Sequence, residues 1–176
     1  MYEKSREERK KVKAETKKRI RIMSWILFIL YLLLLIYFLF FSEWYGRKNW
    51  VEEDYRYNLI LFKEMKRFWI YREQLGMKAV LLNLAGNVIG FLPFGFILPI
   101  ICRKTRHFWL TGLLGFSVSL FAECLQLVWK VGSFDVDDLF LNTAGALIGY
   151  LLFAICDGIR SCLLYTSPSP RDYAAS

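Results

Sequence analysis

The chain has 176 residues, of which 24 are basic and 16 are acidic, so its formal net charge is +8. Apolar residues make up 56% of it and aromatic residues 18%, which excludes an intrinsically disordered chain. The apolar residues stand in long uninterrupted blocks, which excludes an ordinary soluble domain and indicates a membrane protein.

Four apolar blocks are long enough to cross the hydrocarbon core of a bilayer. The first includes 17 consecutive residues, 25–41, without a charged side chain, and a spanning helix needs about 20 apolar residues. Because backbone groups in lipid must be paired within their own segment, we predict an all-α integral membrane bundle of four transmembrane helices. The predicted spans are residues 24–41, 79–101, 108–128 and 139–156.

The basic residues predict the orientation of these spans. Residues 1–23 form a basic tail, with ten Lys or Arg and four Glu, and the turn after the second span adds Arg103, Lys104 and Arg106. By the positive-inside rule both segments lie in the cytoplasm, so both termini are inside. Such a tail more commonly sets topology than binds nucleic acid, and we expect no nucleic-acid partner. We interpret the first span as an uncleaved anchor.

The segment 42–78 then faces outward, and it mixes aromatic and basic residues, as in 55–62 and 68–72. This mixture suits a segment in the headgroup layer, but an extracellular loop with one short helix fits equally well. The stretch 162–176 is rich in Ser and Pro near its end and fits no span. We interpret it as a non-native tail.

Polar residues of three predicted helices fall at one depth, near the outer leaflet. An ionisable side chain at the bilayer centre costs about 2.5–3.5 kcal/mol, so these residues need an explanation. The set consists of Asn83, Asn87, Glu123, Gln126, Asp135, Asp137, Asp138 and Asn142. Several are three or four residues apart, which places them on common helix faces. We therefore predict a polar cleft that opens to the outer leaflet and is lined by Asn83, Asn87, Glu123, Gln126, Asp138 and Asn142.

The residue types allow three uses of this cleft. Glu123 and Asp138 are candidate acid and base groups of an enzyme, and Asp135, Asp137 and Asp138 are the candidate oxygen ligands of a divalent cation, Mg²⁺ or Ca²⁺. In a binding module the amides and aspartates would hold a polar headgroup, with Arg56, Arg67 or Lys130 as a phosphate partner. In a structural protein the same groups would only hydrogen-bond the helices together. In each case the buried Glu123 carboxylate needs partners, and the amides of Asn83, Asn87 and Gln126 are the nearest donors that the sequence offers.

Small residues lie below the polar groups on two of the predicted spans. Gly86 and Gly90 are four residues apart, and so are Gly145 and Gly149. Such pairs let helix backbones approach closely. The nine-residue segments 82–90 and 141–149 share six residues, which fits either a parallel internal repeat or convergence on tight packing.

Read together, these motifs resemble the VanZ-like family. The matching elements are Asn83-x-x-Gly86-Asn87-x-x-x-Phe91-x-Pro93, then Glu123-x-x-Gln126, then Phe134-Asp135-Val136-Asp137-Asp138 with Asn142 and Gly145. Upstream, Asn58-Leu59-Ile60-Leu61-Phe62 is similar to a family element that has Pro where this chain has Leu61. The chain has Val131, Gly132 and Ser133 where many members carry an Arg.

The resemblance implies a multi-pass protein in the cell membrane of Gram-positive bacteria. It implies a contribution to resistance against teicoplanin-type glycopeptides and lipoglycopeptides, which act at the outer side of the membrane. The expected partners are membrane lipid, a lipid-linked envelope precursor or a lipoglycopeptide. The resemblance supplies no reaction, so an enzyme, a binding or transport module and a structural protein all stay open.

Overall fold

The computed structural model describes residues 2–46, 55, 57–130 and 132–166. Four long helices dominate it: α1 (Tyr2–Gly46), α4 (Met77–Ile101), α5 (Phe108–Val128) and α6 (Val136–Thr166). Between the first two of these lie the short helices α2 (Lys63–Ile70) and α3 (Arg72–Leu75). Two-residue strands, β1 (Tyr57–Asn58) and β2 (Phe134–Asp135), and a 3₁₀ turn at Arg103–Thr105 complete the elements.

All four long helices are long and apolar enough to cross a membrane, which confirms the predicted all-α four-span bundle. The first and last are longer than their predicted spans. α1 begins at Tyr2 and includes the basic tail, because Lys, Arg and Glu are good helix formers. α6 continues to Thr166, past the predicted end of its span and into the segment interpreted as a non-native tail. Residues 167–176 of that tail lie outside the described residues.

The contacts between helices define the direction of each span. α6 runs parallel to α4, because Gly145 meets Val88 and Gly149 meets Leu92 one turn further along. α5 runs antiparallel to α6, since its Ser119 bonds Asn142 while its later residue Glu123 bonds the backbone of the earlier Asp135.

α1 runs antiparallel to α4. Its Phe28 ring packs 5.9 Å from the Phe94 ring, and the later Tyr31 hydroxyl donates to the earlier Gly90 carbonyl at 2.8 Å. The beginning of α1 and the end of α6 therefore lie at the same end of the bundle. Which side of the membrane this end faces stays a prediction.

Helices α4 and α6 pack backbone to backbone through glycine. A Cβ atom at Gly145 would overlap the Val88 carbonyl oxygen, and one at Gly149 would overlap that of Leu92. The prediction of close approach is thus confirmed for the pair on α6. It is wrong for the pair on α4: an added Cβ would meet no heavy atom of the described residues within 4 Å at Gly86, and at Gly90 only the Leu35 side chain, at 3.7 Å. The α4 partner in this interface is Gly95, which lies against the backbone of Ala146.

Arg106 ties the bundle together at the end where α4 finishes and α5 begins. Its Nε donates to the Pro99 carbonyl at 3.1 Å, and its Nη1 lies 3.7 Å from the Asp157 carboxylate. Its guanidinium also lies over the Phe153 ring, 5.3 Å from the centroid. Arg106 therefore links the last turn of α4 to α6.

Candidate functional site

The aspartates and Glu123 lie at the opposite end of the bundle, where α4 and α6 begin and α5 finishes. We call this the acidic end, defined by Glu123, Asp135, Asp137 and Asp138. There β1 pairs in parallel with β2, so Asn58 stands beside Asp135. The Asn58 amide also donates to Asp135 Oδ1 at 3.0 Å. This pairing fastens the chain before α2 to the start of α6.

Asp135 caps the N-terminus of α6. Its Oδ1 accepts the backbone N–H of Asp137 at 2.9 Å, which is the usual bond of an N-cap aspartate. Its own N–H donates to Glu123 Oε2 at 2.9 Å and so joins α6 to the end of α5. Burial raises the pKa of Asp135 above its usual value, although the bonds from the Asp137 backbone and the Asn58 amide oppose the shift.

Asp137 caps a helix other than its own. Its carboxylate accepts the backbone N–H groups of Phe62, Glu64 at 2.8 Å and Met65 at 3.1 Å, the first free donors of α2. Phe62 precedes α2 in the left-handed conformation, with φ 64°, and has no side-chain cap of its own. Asp137 is only 1% exposed. Its two oxygens are therefore occupied by the protein, and its evident role is to hold α2 against α6.

Glu123 and Gln126 lie on one face at the end of α5, and both are buried. The Gln126 amide donates to the Leu39 carbonyl of α1 at 2.7 Å. It thereby ties α5 to α1. Glu123 receives the Asp135 N–H described above, so this carboxylate is part of the connection between α5 and α6.

Asn87 and Asp138 form the bridge between α4 and α6, where the Asn87 amide donates to Asp138 Oδ1. Both residues are half-buried, unlike Asp137 and Glu123, which are hidden. Among the described residues, this pair is therefore a polar contact of the acidic end that the surroundings can reach. Asn83, one turn earlier on α4, is exposed.

Asn142 lies one turn further into the bundle than Asp138 and is 2% exposed. Its amide nitrogen donates to the Ser119 hydroxyl at 2.8 Å. Within the described ranges no donor reaches its Oδ1. The Asn142–Ser119 pair joins α5 to α6 beneath the carboxylates and is shielded from the surroundings.

The sequence model of the VanZ/LLP1 family matches residues 28–157, about three quarters of the chain. The chain belongs to the VanZ/LLP1 family. The matched range contains α1 from Phe28 onward and the whole acidic end, and it leaves out the basic N-terminal tail. No curated protein and no solved structure matches the chain.

The aspartates of this VanZ/LLP1 protein contact other groups of the protein, and the cation site stays a prediction. Among the residues that the structure describes, no group of three or more His, Cys, Asp or Glu is placed to hold a metal ion. The carboxylates instead point to protein donors: Asp135 to Asn58, Asp137 to the start of α2, and Asp138 to Asn87. Arg56, the predicted phosphate partner, lies outside the described residues.

Two residues that the sequence did not single out bond to the predicted polar residues of this VanZ/LLP1 protein. Asn58 pairs with Asp135, and its signal was its place in the upstream family element. Ser119 pairs with Asn142, and its signal was its position one helical turn before Glu123. A serine in a transmembrane helix is common enough that this spacing alone could not single it out.

Proposed function

We propose that this VanZ/LLP1 protein works in a bacterial cell membrane with its acidic end at the outer leaflet. There it binds the polar headgroup of a lipid-linked envelope precursor or of a teicoplanin-type lipoglycopeptide, and thereby contributes to resistance. The observation that carries this proposal is the half-buried Asn87–Asp138 pair, which lies between α4 and α6 amid hidden carboxylates.

In this proposal the polar residues divide into two groups. Asp135, Asp137 and Gln126 connect the helices through bonds to backbone groups, so they build the acidic end. Asp138 and Asn87 contact the headgroup, because their amide and carboxylate can exchange their mutual bond for bonds to a ligand. Arg56 precedes β1 in the sequence and is the proposed phosphate partner.

The orientation rests on the distribution of basic residues. Ten Lys or Arg precede the first span, and Arg103 and Lys104 lie in the turn at the same end of the bundle. By the positive-inside rule this end is cytoplasmic and the acidic end is outside. A membrane-impermeant thiol reagent should label Asn49→Cys and spare Lys104→Cys in intact cells. Labelling of Lys104→Cys alone contradicts the orientation.

The enzyme alternative uses the same end of the bundle. Glu123 and Asp138 are then the acid and base acting on a lipid-linked substrate, and the placement of both carboxylates at the acidic end favours it. Reconstituted protein that converts a lipid-linked precursor to a product, and loses this turnover in Glu123→Gln, supports the enzyme over the binding module.

Complementation of a deletion strain tests the proposed function. Asp138→Asn should lower the teicoplanin resistance of the complemented strain, because the headgroup loses its charged acceptor. Glu73→Gln removes one carboxylate from an exposed position of α3 and is the matched control. Equal protein levels in the membrane exclude a folding defect. Full resistance in Asp138→Asn, or no change on deletion, contradicts the proposal.

A further inference from the structure

Helix α2 carries a basic face that points away from the bundle. Lys63, Lys66 and Arg67 follow the i, i+3, i+4 pattern of one helix face, and all three are exposed. Met65 and Phe68, on the other side of α2, are half-buried. Glu64 forms an ion pair with Arg67 at 2.7 Å. Among the described residues, no acidic group forms an ion pair with Lys63 or Lys66.

An apolar edge borders the basic face. Trp69, Ile70 and Tyr71 are 59%, 58% and 49% exposed, and neither α2 nor α3 has a buried residue. The Arg72 guanidinium stacks over the Trp69 ring at 5.2 Å and donates to the Trp69 carbonyl, so this edge also ends in a cation. Cations beside exposed Trp and Ile on a short helix are typical of a segment at a membrane surface.

The position and charge of the segment decide which surface it meets. The Asp137 cap and the β1–β2 pair fasten it to the start of α6, hence to the boundary between the spans and water. Residues 57–78 contain five basic and two acidic residues. The charge that complements them is negative.

We infer that the α2–α3 segment binds anionic phospholipid in the leaflet at the acidic end. Lys63 and Lys66 contact the phosphodiester and Trp69 and Ile70 enter the boundary of the acyl chains. The lipid phosphate is held by side chains, because Asp137 already occupies the N-terminus of α2. The inference involves neither Asp138 nor Asn87 and is independent of the proposed function.

Native mass spectrometry of the full chain, released from bilayers of phosphatidylcholine and phosphatidylglycerol in equal amounts, tests this inference. Wild-type protein should retain phosphatidylglycerol in excess, and Lys63→Gln/Lys66→Gln should lower the retained ratio by about tenfold. Arg103→Gln/Lys104→Gln removes the same charge at the other end of the bundle. The ratio of phosphatidylglycerol to phosphatidylcholine that this variant retains should stay close to the wild-type ratio. An unchanged ratio in the α2 variant, or an equal fall in both variants, overturns the inference.

A second measurement separates contact with a lipid surface from exposure to water. A spin label is placed at Ile70→Cys after the four native cysteines are replaced by serine, and its depth in the same bilayers is measured from oxygen and nickel-chelate accessibility. Labels at Leu113→Cys, on an exposed position of a span, and at Lys104→Cys, in a turn, give the lipid and water references. The Ile70 label should lie between them. A value equal to the water reference overturns the inference.

Discussion

Replacing Asp137 should release α2 from the bundle while the four spans stay assembled. Asp137 is 1% exposed and accepts three backbone N–H groups from the start of α2. Asp137→Ala removes all three acceptors. Asp137→Asn keeps one oxygen but turns its NH₂ group toward the backbone N–H of either Glu64 or Phe62, and two donors cannot bond each other. We therefore expect α2 to loosen nearly as much in this variant.

The size of the effect follows from those bonds. A hydrogen bond to a charged group contributes about 1.5–3 kcal/mol, and one N-cap contributes about 1 kcal/mol. The three bonds share one carboxylate, and the freed N–H groups become hydrated because α2 is exposed. We therefore expect the free energy of local opening of α2 to fall by about 3 kcal/mol, which is about a hundredfold in the opening equilibrium.

Hydrogen–deuterium exchange of the peptide covering residues 59–70 measures this equilibrium directly. Exchange there should speed up in both Asp137 variants, and trypsin should cut more readily at Lys63 and Lys66. Peptides from α5 should exchange as in the wild type. Glu73→Gln, an exposed carboxylate of the same segment, should change neither measurement. Unaltered exchange in Asp137→Ala would refute the assignment of Asp137 as the cap of α2.

Three further predictions concern other parts of the bundle. Gly145→Leu should prevent recovery of monodisperse protein in size exclusion, because the new side chain would overlap the α4 backbone. Gly86→Ala should add about 0.5–1 kcal/mol of stability, because alanine favours the helix over glycine and has room there, so thermal unfolding in detergent should show no fall in melting temperature. Arg106→Ala should lower the melting temperature by an amount that corresponds to about 2 kcal/mol, because three contacts are lost; the same melting temperature as wild type would contradict this. Burial raises the pKa of Asp135 in the folded state, so the contribution of its protonated carboxyl to stability is present below pH 3.8 and is lost as the pH rises through the folded pKa. The melting temperature of Asp135→Asn should therefore rise relative to that of the wild type as the pH increases from about 4. A difference in melting temperature that stays constant with pH would contradict this.

The sequence determined the architecture of this protein because the bilayer imposes its own length scale. A helix must cover the hydrocarbon thickness without charged groups, so four apolar blocks predicted four spans, and the structure contains them. The alternation of the spans likewise predicted that the polar residues of three helices gather at one end. The first conclusion rests on the composition of each helix by itself, and the second adds only the alternating direction of consecutive spans.

The role of each polar group follows from contacts between helices, which the sequence does not show. Asp137 was an equal candidate for a metal ligand and a binding group, and its role as the cap of α2 depends on Phe62, 75 positions earlier in the chain. The roles of the glycines likewise depend on contacts between helices. Gly86 and Gly145 occupy matching positions in similar segments, yet only Gly145 meets another backbone, because the rotation of each helix about its axis determines which face is in contact. The packing of several helices against one another sets that rotation, so it cannot be predicted from any one segment of the sequence.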